Sequence, residues 1–379
     1  MQITKSSQQT MKESNLNIVF SLIYEIDGIS RADIKKITKL SATTVSALVD
    51  ELISAGYVVE GGAKDASTSG RKAISLSVNG RGGHFVVITA SANHFTIRVF
   101  NLALEILHYN RVRYDRERSL SKQMIEFIKA SLSGIEDSGK LLGITVGLPA
   151  IIDNDYNVLY STVLSLTKGD FIYFSLSMAF AETKVVICNT SGLLAYAEKE
   201  FGDTEANNLI AIDIGEGVGA AILLDGMLYT GSKGMAGEFG HMSIDIGGEK
   251  CSCGGRGCLE TAISIPAILN KCSEVSKEIL SIEDVAELYP TNPKIREIID
   301  EVSKILAFGI NNIINIIDPD AVVICGELKV LEEVMLGAVS RYLKELSLFE
   351  RNIPLSFSKI DTDTEFKGGA KYVFDCLFK

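Results

Sequence analysis

Four residues with the chemistry of metal ligands lie within a short stretch of the chain. His241 is followed by Cys251, Cys253 and Cys258, and glycines between them allow tight loops. One imidazole and three thiolates are typical of structural zinc, because a closed set of four ligands leaves no position for a catalytic water. A loop of reduced cysteines is the alternative, but exposed thiols at this density are prone to oxidation. We therefore expect residues 241–258 to form a structural zinc loop with one ion per chain.

Two carboxylates flank this loop. Glu238 lies three residues before His241, and Glu260 lies two residues after Cys258. A rigid metal loop would hold both near His241, and fixed carboxylates are good acceptors for the hydroxyls of a neutral sugar. Ordinary surface glutamates are the alternative on the sequence alone. The pair marks a candidate sugar site beside the predicted zinc.

The elements that must position these residues alternate between strands and helices from residue 84 onward, which predicts an α/β architecture. Residues 85–102 and 209–226 share one layout, an apolar strand, a turn and a second apolar strand, although two hairpins can resemble each other by chance. Such a repeat predicts two similar lobes. Further along, residues 295–317 form a long helical pattern, and a buried strand over 321–325 ends at Gly326.

The second hairpin contains a glycine-rich turn with Gly215, Gly217 and Gly219. Glycines in a turn between strands let backbone amides approach an anion, so these residues are candidates for a residual phosphate loop. A tight hairpin without a ligand is an equally good interpretation, because glycine-rich turns are common.

The first eighty residues have a different pattern. Apolar residues at helical spacing predict helices over 15–26, 31–38 and 42–55, capped by Ser14, Ser30 and Ser41. Alternation over 57–60 and 73–78, with a polar tip between, predicts a hairpin. Two short helices joined by a tight turn and followed by a hairpin form a winged helix-turn-helix, whose third helix enters the major groove by its N-terminal end.

Candidate DNA contacts are hydroxyl side chains at the start of the third helix and basic residues beside it and on the wing. We assign this role to Arg31, Ser41, Thr43, Thr44, Ser46, Lys64 and Arg71. Hydroxyls suit both phosphates and base edges. A three-helix interaction module with solvated basic residues is the alternative, because the third helix has no Arg or Lys in its first turns.

Composition limits the other classes. The 379 residues are enough for two or three compact units, and the net charge of −11 argues against a protein coated in nucleic acid. Residues 1–80 carry nine Lys or Arg and eight Asp or Glu, so they alone could approach a phosphate backbone without strong repulsion. Four further cysteines lie in apolar settings and are expected in the core: Cys188, Cys272, Cys325 and Cys376. With a polar start and no membrane-length apolar run, we expect a cytoplasmic protein without a signal peptide.

The chain resembles the ROK family, which groups repressors, uncharacterised proteins and sugar kinases, and in particular its repressor branch. The most specific match is Ala236-Gly-Glu-Phe-Gly-His241, followed by the Cys251-x-Cys253-Gly-x-x-Gly-Cys258-Leu-Glu260 segment. The N-terminal Ser41-x-x-Thr-Val-Ser46 segment and Gly70-Arg71 are similar to the DNA-binding arm of the family's repressors, which family kinases lack.

The resemblance implies an α/β, actin-like (ribonuclease H-like) domain over 81–379, preceded by the winged helix-turn-helix at 1–80. One lobe would take about 81–190 and the C-terminal helix, and the other 191–370, with sugar and nucleotide in the cleft. The resemblance implies zinc on the four predicted ligands and a homodimer or homotetramer on paired operator half-sites. It implies sugar contacts from Asn189, Thr190, Glu238, His241 and Glu260.

Two departures from the family pattern bear on catalysis. The catalytic base of family kinases is an Asp after the Asn, but Thr190 stands there, and a threonine hydroxyl cannot accept a proton as a carboxylate does. The first phosphate loop of family kinases begins Asp-x-Gly, but this chain has Thr89-Ala90-Ser91. These losses predict that the chain is not an enzyme.

The leading interpretation is therefore a repressor of carbohydrate-metabolism genes that releases operator DNA, or binds it, in response to a sugar or sugar phosphate. An ATP-dependent sugar kinase with an appended DNA-binding arm is the second, and a DNA-binding protein that answers to a protein partner is the third.

Overall fold

A computed structural model describes residues 8–63, 74–135, 139–161, 163–167, 171–278, 280–348 and 351–378 of the chain. The chain divides into two compact units. The first consists of Met1–Leu148, Thr162–Cys188 and Gly369–Lys379, and the second of Pro149–Ser161 and Asn189–Gly368. The expected boundary after residue 80 lies inside the first unit and stays a prediction.

The N-terminal segment is a winged helix-turn-helix. Its elements are α1 (Gln8–Glu25), β1 (Ile29–Ser30), α2 (Arg31–Thr38), α3 (Ala42–Ser54), β2 (Val58–Ala63) and β3 (Ile74–Val78). The strands form one sheet in the order β1-β3-β2. The predicted cap residues Ser30 and Ser41 are confirmed, since their hydroxyls accept the backbone N–H groups of Asp33 and Thr44. Ser14 was wrongly predicted to cap the first helix, because α1 already includes it.

The three helices pack through one apolar face each. Buried positions of α1 and α3 meet in a small core that includes Val19, Phe20, Ile23, Val45, Leu48, Val49 and Leu52. Each such side chain stabilises the fold by roughly 1.5–3 kcal/mol through removal from water. The exposed start of α3 is left free of this packing.

The rest of the first unit is built on a five-stranded sheet. The elements that follow β3 in the chain are β4 (Gly83–Ala90), β5 (His94–Asn101), β6 (Ile106–Arg113), α4 (Leu120–Leu132), β7 (Lys140–Leu148), β8 (Ile151–Ile152), β9 (Val158–Ser161), β10 (Leu166–Thr167), α5 (Ile172–Ala179) and β11 (Lys184–Asn189). The sheet has the order β11-β7-β4-β5-β6, with β4 antiparallel to β5 and parallel to β7. The paired β8 and β9 belong to the second unit.

The second unit is built on another five-stranded sheet. The remaining elements are α6 (Thr190–Phe201), β12 (Leu209–Ile214), β13 (Val218–Leu224), β14 (Met227–Tyr229), α7 (Glu260–Ile263), α8 (Ile265–Ser276), α9 (Ile282–Leu288), α10 (Pro293–Ile317), β15 (Ala321–Cys325), α11 (Glu332–Leu346), β16 (Leu355–Phe357) and α12 (Thr362–Phe378). The order is β14-β13-β12-β15-β16, with β12 antiparallel to β13 and parallel to β15. The two sheets therefore share one strand order, and the predicted repeat of a hairpin in two lobes is confirmed.

The core of the second unit forms where α10 and its neighbouring helices cover the sheet. The predicted strand over 321–325 is confirmed. Helix α10 begins two residues earlier than expected because Asn292 caps it, with a side chain that accepts the amides of Lys294 and Ile295.

Three of the four cysteines outside the metal cluster are buried as expected: Cys188, Cys272 and Cys325. The prediction for Cys376 was wrong, since it lies on an exposed face of α12. In the described ranges, no helix is both long and apolar enough to cross a membrane.

Candidate metal centre and sugar site

The four predicted metal ligands lie together in the second unit. Their ligand atoms all lie within 4.8 Å of one another. Cys253 Sγ is 3.7 Å from Cys258 Sγ, and Cys251 Sγ is 3.7 Å from His241 Nδ1. Tetrahedral zinc with bonds of about 2.3 Å to sulfur requires a separation of about 3.8 Å between sulfurs. The donor set and its spacing therefore fit a metal ion.

The backbone of the loop is shaped by glycines and by its own hydrogen bonds. Gly257 has a φ of 62°, and a Cβ there would lie 1.7 Å from the carbonyl oxygen of Asp245. The Gly255 amide donates to Cys253 Sγ at 3.4 Å, which lowers the pKa of that thiol. Burial raises the pKa of the Cys258 thiol to about 12, and a cation bound between the ligands would favour the thiolate form of this sulfur.

His241 joins the metal ligands to the first carboxylate. Its Nδ1 faces Cys251, while its Nε2 lies 3.8 Å from Glu238 Oε2. A histidine that binds metal through one nitrogen has its ring oriented by the partner of the other. Burial raises the pKa of Glu238, the positive potential of His241 lowers it, and the nearby charge of Glu260 raises it. Glu238, His241 and Glu260 are thus brought together, as the sequence predicts.

Glu260 is fixed by the glycine-rich turn. Its Oε2 accepts the backbone N–H of Val218 at 3.0 Å, and the Gly215 N–H donates to the Gly217 carbonyl at 2.9 Å. A Cβ at Gly217 would lie 3.1 Å from Glu260 Oε2. Two amides of the candidate phosphate loop therefore have partners already, and one partner is a carboxylate that repels an anion.

Asn189 and Thr190 lie where β11 ends and α6 begins. The Asn189 side chain accepts the Ser191 amide N–H at 3.0 Å and donates to the Ala150 carbonyl at 3.1 Å, so it caps α6. The Thr190 hydroxyl donates to Asn189 Oδ1 at 3.4 Å. Thr190 is partly buried, whereas Asn189 is exposed to solvent.

Two residues of this region were not assigned from the sequence. Ser191 donates to Asp213 Oδ2 at 3.4 Å, and a Cβ at Gly219 would lie 3.1 Å from its hydroxyl. Burial raises the pKa of Asp213, the Ser191 hydrogen bond lowers it, and Glu327 raises it. Ser191 thus connects the start of α6 to the glycine-rich turn. Its place directly after the Asn-Thr pair was the signal in the sequence.

In the first unit, the turn at residues 91–93 is closed by internal contacts. The Ser91 amide donates to the His94 carbonyl at 2.9 Å. The Tyr114 hydroxyl lies 2.9 Å from the carbonyl oxygens of Ser91 and Ala92, and Arg116 donates to Ala92 through Nε and Nη2. The Ser91 amide is therefore not free to bind a phosphate.

The candidate DNA contacts differ in their surroundings. Ser41 Oγ lies 2.8 Å from the hydroxyls of both Thr43 and Thr44 at the exposed start of α3. Arg31 forms hydrogen bonds with Asp50 and Glu60, so two carboxylates already neutralise its charge. Ser46 lies on the first turns of α3. Lys64 and Arg71 lie outside the described residues.

Residues 86–360 of the chain match the ROK family. The xylose repressor of Caldicellulosiruptor bescii is 29% identical over 372 residues, which cover 92% of each protein. The transcriptional dual regulator NagC of Escherichia coli, a DNA-binding protein, is 28% identical over 370 residues, which cover 93% of this chain and 90% of NagC.

Solved structures show the same fold. A ROK family transcriptional regulator, described as a homologue of the Escherichia coli MLC protein, superposes with a TM-score of 0.85 and 25% identity over 97% of both chains. The ROK hexokinase of Thermus thermophilus superposes with a TM-score of 0.66 and 19% identity, and covers 77% of this chain and 99% of its own. The predicted actin-like fold is confirmed by these similarities.

Proposed function

We propose, from the premise that this chain belongs to the ROK family, that it is a DNA-binding repressor of carbohydrate-metabolism genes, controlled by a sugar or sugar phosphate. The observation that carries the proposal is a winged helix-turn-helix on a chain that matches repressors over more than nine-tenths of its length. The hexokinase, in contrast, covers 77% of the chain.

DNA binding is assigned to the start of α3 and to the wing. The hydroxyls of Ser41, Thr43 and Thr44 lie at a helix N-terminus, where backbone amides and the helix dipole favour a phosphate. Ser46 would approach base edges, and Lys64 and Arg71 would bind phosphates from the wing. Arg31 would mainly hold α2 in place through its ion pairs with Asp50 and Glu60, and would contribute less to DNA binding.

The metal is proposed to be zinc, one per chain, on His241, Cys251, Cys253 and Cys258. When bound, it supplies a rigid cross-link between the segment that bears Glu238 and the segment that leads into α7. Four protein ligands leave no open coordination position, so the ion is structural.

The effector is proposed to bind Asn189, Thr190, Glu238, His241 and Glu260. A backbone amide holds the Glu260 carboxylate, and the Glu238 carboxylate lies beside the imidazole of His241. Carboxylates that are already fixed can accept hydrogen bonds from sugar hydroxyls with little further loss of side-chain entropy. Relatives are named for xylose and N-acetylglucosamine, so a sugar of this class is the first candidate. Thr190 adds no charge and leaves room for a phosphorylated sugar.

Thr190 and the two candidate phosphate loops argue against phosphoryl transfer. Thr190 offers no base, and the amides of Ser91, Gly215 and Val218 already have partners. A sugar kinase with an appended regulatory arm is therefore the weaker alternative. We further propose that the protein acts in the cytosol as a homodimer or homotetramer, because paired winged helices match paired half-sites.

Two assays on the full chain test the proposal. Selection from a randomised duplex pool should yield a preferred sequence that the protein binds at physiological salt. Incubation with ATP and xylose or N-acetylglucosamine should produce no sugar phosphate above background. A chain that selects no sequence and phosphorylates either sugar would be a kinase.

A further inference from the structure

The last helix, α12, packs against the helix that begins at the candidate sugar site. Gly368 is buried against Ala197 of α6 so closely that a Cβ on Gly368 would lie 2.4 Å from Ala197 Cβ and 2.6 Å from Ala197 Cα. One residue earlier, Lys367 Nζ lies 4.6 Å from the ring centre of Phe201, at the end of α6. Helices in contact through a glycine have no soft side chain between them, so a shift of one displaces the other.

The other end of α12 packs against the DNA-binding segment. The ring of Phe374 lies 5.5 Å from that of Phe20 and 4.6 Å from that of Tyr24, both on α1. The ring of Phe378 lies 4.7 Å from that of Phe20 and 5.8 Å from that of Tyr57, which precedes β2. The winged helix is therefore held on α12 by a cluster of aromatic rings, and such pairs contribute beyond their buried area.

A buried ion pair lies beside the aromatic rings. Lys371 Nζ is 2.6 Å from Asp375 Oδ1, and both side chains are almost fully buried. The Lys371 ammonium also lies 5.3 Å from the ring centre of Tyr24 on α1. Both residues of the ion pair lie on α12, four positions apart, so the pair fixes the Lys371 ammonium on its own helix, and the contact with the Tyr24 ring is the part that reaches α1.

We propose that α12 is the element through which the winged helix senses the sugar site, a proposal that rests on the proposed function. Asn189 caps α6, and a ligand on Asn189 would bias the position of that helix. The close contact of Ala197 with Gly368 conveys the bias to α12, and Phe374 and Phe378 convey it to α1. Each contact lies within one compact unit, and α12 contributes residues to both units.

Hydrogen–deuterium exchange on the full chain tests this coupling without DNA or sugar. Gly368→Ala perturbs the contact with α6, and the exchange of α1 amides should rise at least threefold, because α12 can no longer hold α1 as it does in the wild type. Gly337→Ala, the same substitution on α11 with no atom within 4 Å of the new methyl group, is the matched control and should leave α1 unchanged. If the α6 amides of Gly368→Ala exchange at an altered rate while the α1 amides exchange as in the wild type, the proposal is overturned.

A second variant perturbs the contact with α1 and measures the effect on α6, so the test does not depend on the folding of Gly368→Ala alone. Coupling between the two contacts must be reciprocal. Phe378→Ala removes a ring near the end of the chain, and exchange at the first turns of α6 should change at least twofold. Phe174→Ala, at a phenylalanine that is 64% exposed, is the control. Wild-type exchange in α6 of Phe378→Ala would also overturn the proposal. If wild-type protein selects no DNA while both exchange effects appear, the proposed function fails and the coupling stands.

Discussion

Replacement of Cys253 by Ser examines the metal centre with little disturbance of the fold. Cys253 is exposed, whereas its partner Cys258 is buried 3.7 Å away. A serine hydroxyl is not deprotonated near neutral pH and is a poor zinc ligand, so three ligands would remain. Serine and cysteine side chains are similar in size, so the packing around position 253 should be unchanged.

The expected loss follows from the number of ligands. Structural zinc binds small peptides with an apparent free energy on the order of 10–16 kcal/mol. An even share among four ligands is about 2.5–4 kcal/mol for each, which corresponds to roughly 70- to 700-fold in affinity. The loss should reach the sugar site, because His241 Nε2 lies 3.8 Å from Glu238 Oε2. If the Glu238 carboxylate is misplaced, one charge-assisted hydrogen bond to the effector is lost, which lowers the affinity for the effector by roughly tenfold or more.

Zinc affinity is measured by competition with a chromophoric chelator, and zinc content by elemental analysis. Cys376→Ser is the matched control, because Cys376 is an exposed cysteine outside the cluster. The control should hold one zinc per chain with wild-type affinity. A Cys253→Ser protein that also holds one zinc with wild-type affinity would refute the assignment of this ligand set.

Three further predictions concern other regions. Thr43→Glu places a negative charge at the start of α3 and should weaken operator binding at least tenfold in fluorescence anisotropy, while unchanged affinity would exclude this end of α3 from the interface. Thr190→Asp should weaken a phosphorylated effector at least tenfold in calorimetry, since two unit charges about 4 Å apart repel by on the order of 4 kcal/mol at an effective dielectric constant near 20; equal loss for the neutral sugar would contradict this reasoning. Burial raises the pKa of Glu198, so its contribution to stability is present at low pH and is lost as pH rises through the raised value. The Tm of Glu198→Gln should therefore rise relative to that of wild type as the pH increases above about 4.5, the ordinary pKa of a glutamate, and a Tm difference that does not change with pH would contradict this reasoning.

Local signals in the sequence predicted most of the elements. The bounds of α2 and β15 agree with the pattern, because a capping serine or a run of buried apolar residues defines each end. The start of α1 was missed because Gln8 to Glu13 carry no apolar stripe, although Gln, Met, Lys and Glu are good helix formers. The clustering of His241 with the three cysteines was predictable because all four lie within eighteen residues.

Contacts between distant segments were not predictable in this way. The Ser21 hydroxyl donates to the Phe378 carbonyl at 3.3 Å across 357 positions of the chain, and no periodicity marks such a pair. The same holds for Ser191 and Asp213, which meet only because α6 packs on β12. Packing of α12 on α1 also means that deletion of residues 1–80 would expose Phe374 and Phe378, so point substitutions test DNA binding more cleanly than truncation.

A sugar and operator DNA are expected to bind the same chain and to alter each other's affinity. The direct measurement is fluorescence anisotropy of the selected operator with the full chain, titrated with xylose, N-acetylglucosamine and the phosphate ester of each. Coupling between two sites typically changes affinity between about 5-fold and 150-fold, and the change must be equal in both directions. We expect one of these ligands to change the operator Kd at least fivefold, and the operator to change that ligand's Kd by the same factor. A ligand that binds the protein in calorimetry, but leaves the operator Kd unchanged, would contradict this coupling.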